Sequence, residues 1–408
     1  MNRALLSLTI LLCTACTRLV SYVPPGSGNA EAPREKYCIV TQRTVCPGVW
    51  YYFLADKRGP WQIHVLEIDL RNPDLTITAA RAGDRLFGRE QTSSMASRLE
   101  TPGRTVVAAL NGDFFSLTTG ENENNCVIDT DFVKGTKMTG SPYDTFDNIH
   151  SQFAMSSNRR PALDRFEFMG KVFLGKTGTI DLLGVNDAPK PKSVVLFNRW
   201  FGPSTPTDTI RMSMTEVSIR LLGRTLDTLV AVVKGTSGSG GSPIDSTTCV
   251  LCGYDLPAQH PLKNANIGDT IRVWLGVSPG IGIPRTIVGG WPRIVLNGKN
   301  IGPLTDSIEG TFPTFSAQRN PRTGIGFSAD STTVFLFAVD GRQKMSAGMT
   351  LKEFADAMIF EGVYQGLNLD GGGSTTFVLQ GKVMNLPSDA TGERPVGNCI
   401  LLTAPIQK

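Results

Sequence analysis

Three consecutive glycines follow an acidic residue at the end of an apolar segment, and this feature most constrains the local fold. Residues 367–369 precede Asp370, and the chain continues with Gly371, Gly372, Gly373, Ser374, Thr375 and Thr376. Glycines let a backbone approach a ligand closely and turn its N–H groups toward an anion. The pattern predicts a strand that ends at a site for an anionic, hydroxyl-rich ligand, and a plain flexible turn is the alternative.

Two other apolar segments end in the same way. Residues 105–110 lead to Asn111 and Asp113, and residues 334–339 lead to Asp340. Because strands hold side chains more rigidly than free loops do, we expect the three ends to converge on one pocket. Taken singly, each end has the composition of an ordinary surface turn, which is the alternative for each of them.

A helix is predicted between the strand that ends at Asp340 and the strand that ends at Asp370. Thr350 and Glu353 have the spacing of a capping box, and apolar residues recur at helical intervals up to Gly362. Strand patterns dominate the rest of the chain. We therefore predict an α+β fold, with mixed or antiparallel β-sheets flanked by helices and a β-rich middle section.

The N-terminal sequence predicts export and a lipid anchor. Arg3 precedes an apolar stretch that is too short to span a bilayer and that leads to Ala15 and Cys16, as at a lipoprotein processing site. We predict a signal peptide at 1–16, lipidation of Cys16 and a polar tether at 17–45. The protein would then be anchored in the bacterial cell envelope, on a periplasmic or surface side, and simple secretion is the alternative.

The rest of the chain, 46–408, is long enough for one elaborate domain or two. We divide it into an N-terminal part at 46–185, a β-rich middle section at 186–285 and a C-terminal part at 286–405. The formal net charge is only +4, and the basic residues are dispersed, so nothing indicates nucleic-acid binding.

Six cysteines follow Cys16 in the sequence. An even number of cysteines in an exported chain predicts disulfides. We expect at least two of them to be bonded, and the connectivity stays open. Cys249 and Cys252 have the spacing of a zinc or redox site, but no second pair and no neighbouring His accompany them. A structural bridge is therefore the preferred interpretation of this pair.

Several short motifs, taken together and in order, resemble the phosphodiester glycosidase family. The resemblance is dense from about 286 to 405 and thinner from about 50 to 180. The motifs are Asn-Gly-Asp-Phe-Phe at 111–115, Asn-Pro-Arg-Thr-Gly-Ile-Gly at 320–326, Asp-Gly-Arg at 340–342, Asn-Leu-Asp-Gly-Gly-Gly-Ser-Thr at 368–375, and Asn-Leu-Pro-Ser at 385–388 with Glu-Arg-Pro at 393–395. The resemblance implies a hydrolase that cleaves sugar-1-phosphodiester linkages in glycans at the anomeric carbon, and the N-terminal sequence predicts that it is exported.

Such a reaction builds positive charge on the sugar and a second negative charge on the departing phosphate, so it needs carboxylates and oriented cations. The predicted catalytic residues are Asp370, Asp113, Glu393, Arg322 and Asp340. The residues predicted to bind phosphate or substrate are Asn111, Thr323, Arg342, Gly371, Gly372, Gly373, Ser374, Thr375, Asn385 and Arg394.

A metal ion is left open by the sequence. The predicted carboxylates are hard oxygen ligands suited to Ca²⁺ or Mg²⁺, which would assist at the phosphate. One alternative function is therefore a metal-dependent phosphodiesterase that breaks the phosphorus–oxygen bond. The other is a glycan-binding surface lipoprotein without catalytic activity.

Overall fold

The computed structural model describes residues 37–406, apart from 58, 176–177, 208–211 and 226. Strands make up 46% of the chain and helices 11%. The prediction of a helix-flanked α+β fold is therefore wrong, and the protein is mostly β-sheet. The physical reason is that most apolar sheet faces are covered by other sheets, and only one helix in the described part has more than seven residues. Strands and helices are numbered below along the chain.

The first sheet is antiparallel and bears two of the predicted strand ends. In spatial order its eight strands are β1 (Cys38–Cys46), β2 (Val49–Asp56), β3 (Trp61–Asp69), β22 (Thr333–Val339), β21 (Arg322–Phe327), β23 (Gln365–Leu369), β19 (Arg293–Leu296) and β20 (Lys299–Asn300). Strand β1 overlaps the end of the region predicted as a tether.

The second sheet also has eight strands, most of them in the section predicted to be β-rich. Among the strand pairs of the described residues, the last two strands of this sheet form the only parallel pair. In spatial order the strands are β11 (Thr179–Asp181), β10 (Glu167–Phe173), β17 (Thr270–Ser278), β15 (Thr228–Ser237), β14 (Met214–Thr225), β16 (Thr248–Tyr254), β13 (Ser193–Phe197) and β12 (Gly184–Val185).

Two smaller sheets of five strands complete the β-structure. One has the order β7 (Asp131–Lys134), β6 (Cys126–Ile128), β18 (Pro284–Gly289), β8 (Gln152–Ser156) and β9 (Pro161–Asp164). The other has the order β25 (Lys382–Val383), β24 (Phe377–Leu379), β5 (Arg104–Asn111), β26 (Asn398–Pro405) and β4 (Thr76–Arg81).

The helices are α1 (Thr92–Arg98), α2 (Thr305–Ile308), α3 (Pro313–Ser316) and α4 (Leu351–Phe360). The predicted helix is α4, and its capping box is confirmed. The Glu353 N–H donates to Thr350 Oγ1 at 3.1 Å, and the Thr350 N–H donates to Glu353 Oε2 at 3.0 Å. None of the helices in the described ranges is long and apolar enough to cross a membrane.

Both faces of the first sheet are buried, and this layering positions the strand ends. On β22, Leu336 packs toward Ile400 of β26, whereas Phe337 packs toward Phe354 of α4. Successive strand residues point to opposite faces, so one strand serves both cores. The sheet that contains β5 therefore lies against the sheet that contains β23, and the ends of these two strands meet.

All six cysteines of the described residues are free thiols, so the predicted disulfides are not confirmed. Cys249 and Cys252 lie three positions apart on β16, which places them on opposite faces of the sheet. Cys249 packs in the main core of the second sheet, and Cys252 packs in a separate cluster with Tyr254. The strand geometry therefore keeps the two thiols apart. The predicted signal peptide and Cys16 lie outside the described residues.

Candidate active site

Asn111 joins the ends of three strands. Its Nδ2 donates to the Asp370 carbonyl oxygen at 2.6 Å, and its Oδ1 accepts from Thr323 Oγ1 at 2.9 Å and from the Thr376 N–H at 3.0 Å. The Asp370 N–H donates to the Gly112 carbonyl oxygen at 3.0 Å. Asn111 is fully buried. The predicted convergence of the ends of β5 and β23 is thus present, and the start of β21 is their third partner.

The glycine loop lets charged side chains approach the backbone. Gly372 has a φ of +60°, which favours glycine. A β-carbon on Gly373 would lie 2.1 Å from Asp389 Oδ1 and 2.2 Å from Arg394 Nη2. The Gly372 N–H already donates to the Pro321 carbonyl oxygen at 2.9 Å. The glycines therefore serve close packing more than an open ring of amide donors.

Two predicted arginines border this loop. The exposed Arg342 has its Nη2 3.1 Å from where a β-carbon on Gly372 would stand, and it donates to Asn320 Oδ1 at 3.0 Å. Arg394 forms a two-point ion pair with Asp389, with distances of 2.8 and 3.0 Å. Two arginines therefore lie beside the loop, one of them paired with Asp389, and guanidinium groups suit an anionic group.

Asp370 is the carboxylate of the loop, and it is partly exposed. Loss of water around this carboxyl raises its pKa to about 7, and the nearby Asp113 also raises it, while Ser374 and Arg394 lower it. The buried Ser374 Oγ has no hydrogen-bond partner of standard geometry among the described residues. We therefore regard its effect on Asp370 as that of a nearby dipole. Asp370 can exchange a proton near neutral pH.

Asp113 is 1% exposed, and both of its oxygens are occupied. Asn124 donates to Asp113 Oδ1 through its Nδ2 at 2.8 Å and to Oδ2 through its backbone N–H at 3.0 Å. Burial raises the pKa of Asp113 to about 6, although the hydrogen bonds from Asn124 oppose this change. Gly289 passes so close that a β-carbon there would lie 2.4 Å from Asp113 Oδ2. Asp113 thus anchors the loop that follows it.

Glu123 lies in the Asn-rich loop after β5 and was not among the residues predicted for the site. Glu123 is partly exposed, and Ser141 Oγ lies 3.4 Å from its Oε1. Burial raises the pKa of Glu123 to about 8, and the charges of Asp113, Asp144 and Asp370 raise it further. The signal was an acid within the Asn-rich loop directly after the Asn-Gly-Asp motif.

A second missed group is the pair of Asp144 and His150. His150 Nε2 lies 2.9 and 2.8 Å from the two carboxylate oxygens of Asp144, and His150 is fully buried. The His150 ring stacks on Trp291 with ring centroids 5.2 Å apart, and Trp291 stacks on Phe315 at 4.9 Å. Phe114 meets Trp291 edge-on at 5.9 Å. An aromatic column therefore stands beside the acidic groups.

Arg322, predicted as catalytic, lies within the protein beneath this column. It is 2% exposed and donates to the carbonyl oxygens of Met349 at 2.8 Å, Phe315 at 2.8 Å and Gln318 at 3.0 Å. Its guanidinium also lies 5.1 Å from the centre of the Phe315 ring. Burial lowers the pKa of Arg322 to about 9. Its contacts anchor backbone segments and the aromatic column.

Asp340 is 3% exposed and belongs to a buried chain of polar groups. Its Oδ1 accepts from the Leu386 N–H at 2.9 Å, and its Oδ2 lies 3.7 Å from His64 Nε2. His64 Nδ1 lies 2.8 Å from the Tyr51 hydroxyl. Asp340 therefore connects the first sheet to the segment that contains Leu386.

The remaining predicted residues stabilise the surroundings of the loop. Asn385 Oδ1 accepts from the Phe377 N–H at 2.7 Å, and its Nδ2 donates to the Thr375 carbonyl oxygen at 3.0 Å. Both carboxylate oxygens of Glu393 accept from Ser93, at 2.8 Å from the backbone N–H and at 2.5 Å from Oγ. The Glu393 carboxylate is thus engaged at the start of α1.

The described residues contain no group of three or more His, Cys, Asp or Glu side chains arranged to hold a metal ion. Two of the acids predicted as oxygen ligands, Asp340 and Glu393, have other partners. The involvement of Ca²⁺ or Mg²⁺ remains a prediction.

The fold and site define a β-sheet protein in which an acidic cluster meets a glycine loop bordered by two arginines. Two solved structures share this fold. A hypothetical protein from Synechocystis has a TM-score of 0.67 and 18% identity, over 89% of this chain and 63% of that chain. A protein from Burkholderia pseudomallei has a TM-score of 0.61 and 22% identity, over 84% of this chain and 74% of that chain.

Residues 262–403 match the family model of the phosphodiester glycosidases, which confirms the resemblance found in the sequence. Human N-acetylglucosamine-1-phosphodiester alpha-N-acetylglucosaminidase is 41% identical over 80 residues. That alignment covers 20% of this chain and 15% of the human protein. The match to the family model includes the glycine loop and both bordering arginines, since these residues lie within 262–403.

Proposed function

We propose that this protein is an exported hydrolase that cleaves sugar-1-phosphodiester linkages in glycans, between the anomeric carbon and its oxygen. The observation that supports this most is the position of Asp370, at a strand end beside the loop that Arg342 and Arg394 border. The name of the human relative specifies an N-acetylglucosamine-1-phosphodiester, which supports the substrate class. Because only 15% of that relative is matched, the activity is a proposal for this chain.

The proposed roles follow from where charge develops. The phosphodiester lies over the glycine loop, where Arg342 and Arg394 stabilise the negative charge that accumulates as the carbon–oxygen bond breaks. Water attacks the anomeric carbon and loses a proton to Asp370, whose pKa of about 7 suits a base at neutral pH. The aromatic column near Phe114 provides an apolar surface against which a sugar ring can pack.

The test compares the wild-type protein with Asp370→Asn on the methyl diester of N-acetylglucosamine-1-phosphate. We expect kcat/KM to fall by at least about a hundredfold, the scale for losing one preorganised catalytic group. Asp181→Asn is the matched control, because Asp181 is 74% exposed on the edge strand β11. Equal activity of Asp370→Asn and the control would contradict the assignment of the site.

Reaction in ¹⁸O-water separates the proposed bond cleavage from its main alternative. Cleavage of the carbon–oxygen bond places the label on the anomeric hydroxyl and leaves the phosphate unlabelled. Label in the phosphate, together with activity that EDTA abolishes and Mg²⁺ or Ca²⁺ restores, would select a metal-dependent phosphodiesterase. Binding of the diester without any turnover would select a glycan-binding surface lipoprotein.

We also propose that the protein is anchored in the bacterial cell envelope through a lipid on Cys16. The support is the Ala15-Cys16 junction after a short apolar stretch. In the cell, Cys16→Ser should move the protein from the membrane fraction to the soluble fraction and abolish lipid labelling. Unchanged fractionation and labelling would contradict the anchor and leave the enzymatic proposal intact.

A further inference from the structure

We propose that Glu123 is a further catalytic residue, the acid that donates a proton to the departing phosphate. This inference rests on the proposed function and assigns a role that the sequence motifs did not provide. The residues on either side of Glu123 are buried and fixed. Asn122 accepts from Lys134 Nζ through its carbonyl oxygen at 2.7 Å, and Asn124 bonds Asp113. The Glu123 side chain is thus held on a rigid backbone while its carboxyl remains partly exposed.

The other acids of this region have less freedom to transfer protons. Both oxygens of Asp113 accept from Asn124, and both oxygens of Asp144 lie within 2.9 Å of His150 Nε2. Within the described ranges, the Glu123 carboxyl has only the long contact of 3.4 Å with Ser141 Oγ. Among Asp113, Glu123, Asp144 and Asp370, the two acids least restrained by hydrogen bonds are therefore Glu123 and Asp370, and their charges interact with each other.

Charged groups from several elements determine how Glu123 ionises. Asp113 at the end of β5, Asp144 in the loop before β8 and Asp370 after β23 all disfavour its negative charge. Cations act mainly on its neighbours, since His150 and Lys134 lower the pKa of Asp113 and Arg394 lowers the pKa of Asp370. With burial as the largest cause, Glu123 keeps its proton up to about pH 8, above the range in which Asp370 loses its own. Two carboxyl groups held at different pKa values are the arrangement that acid and base roles require.

Two proton transfers accompany the proposed bond cleavage. The water oxygen forms a bond to the anomeric carbon, and the bond from that carbon to the phosphate oxygen breaks with its electron pair remaining on the phosphate. Asp370 takes one proton from the water, and Glu123 gives its proton to the leaving phosphate oxygen. Asp370 then returns a proton to solvent and Glu123 takes one up, so the products are the free sugar and a phosphate monoester.

The test measures pH profiles of kcat/KM for the wild type, Glu123→Gln, Glu123→Asp and the control Asp147→Asn, on the same methyl diester. Asp147 is an exposed acid of the neighbouring loop, and the control makes the same carboxyl-to-amide change beside the site. The wild-type rate should fall above about pH 8, because the acid must be protonated to act. Glu123→Gln should lower kcat/KM by about a hundredfold, the scale of general-acid catalysis, and abolish this alkaline limb.

Glu123→Asp, which keeps a carboxyl on a shorter side chain, should retain an alkaline limb at a shifted pH. It keeps the proposal testable if Glu123→Gln fails to fold, which thermal unfolding would show. Turnover with an unchanged alkaline limb in Glu123→Gln would overturn the role of Glu123 while leaving the proposed function standing. A wild-type protein that turns over none of the diesters would overturn both.

Discussion

Single residues near the glycine loop were predictable from sequence when a backbone constraint accompanied them. Asp370, Arg342 and Arg394 were predicted because each stands next to a glycine or proline, and the structure places all three at the loop. Glu123 was missed because an acid in an Asn-rich loop has the composition of a solvated turn. Arg322 was predicted as catalytic, and the structure places its guanidinium on carbonyl oxygens in the core; sequence does not distinguish such an arginine from one that faces a ligand.

At this scale we predict that Gly373→Ala disables the site while the fold persists. The new methyl group would stand 2.1 Å from Asp389 Oδ1 and 2.2 Å from Arg394 Nη2, so the ion pair must move. We expect a stability loss of about 1–3 kcal/mol from overpacking and a fall in kcat/KM of about tenfold or more. Because Arg394 lowers the pKa of Asp370, its displacement should also move the acidic limb of the pH profile upward.

Thermal unfolding and the pH profile of kcat/KM check this prediction. Gly103→Ala is the matched control, because a β-carbon there has no atom within 4 Å and the position does not need a positive φ. If Gly373→Ala behaves like Gly103→Ala in both measurements, the ion pair does not support the site.

Elements whose signals are local can be identified from sequence, as the predicted helix α4 was. Helix α4 has its capping box at Thr350, and the hairpin of β19 and β20 turns at Asn297 and Gly298, which have φ values of 51° and 70°. Such turns depend on a few adjacent residues. The surroundings of α4 depend on distant residues instead. Glu361 directly follows the helix, is 6% exposed and lies near Glu67.

Glu361 yields a prediction of stability against pH. Burial, together with the charge of Glu67, raises its pKa to about 8 from the 4.5 of an unperturbed group. Below about pH 4.5 Glu361 is protonated in the folded and unfolded states alike. Between about pH 4.5 and 8 the unfolded state releases this proton while the folded state keeps it, so the free energy of unfolding decreases as pH rises.

Glu361→Gln mimics the protonated acid and should therefore be more stable than the wild type at pH 8 and close to it at pH 4.5. Urea unfolding at the two pH values measures the difference. Glu167→Gln, which changes an exposed acid on β10, serves as the control. A stability gain of the same size at both pH values would show that proton uptake by Glu361 is not its cause.

At the scale of the whole molecule, the sequence predicted strands but not what covers them. Strand β5 lies at 104–111, yet its partners β24 and β26 lie near the C-terminus. An apolar strand face requires a cover, and the pattern is the same whether a helix or another sheet provides it. Here sheets pack on sheets, which is why the helix-flanked fold was the wrong prediction.

This layered packing predicts that the fold does not depend on disulfides. One core cluster joins the first sheet to the sheet that contains β5, and separate clusters underlie α4 and the second sheet. Four of the six cysteines of the described residues are buried as free thiols within such packing. Loss of water raises the pKa of one of them, Cys126, to about 12. Buried thiols of this kind are poorly reactive.

We therefore expect the thermal midpoint to be the same with and without a thiol reductant. Alkylation of the denatured protein without reduction should label all six cysteines from Cys38 to Cys399. In the native protein Cys38 should react first, because it is exposed while Cys249, Cys252 and Cys399 are buried. A midpoint that drops by several degrees in reductant, together with fewer than six labelled thiols, would show that the protein closes a disulfide, as the even cysteine number had suggested. That pair would not be Cys249 with Cys252, since β16 places the two on opposite faces.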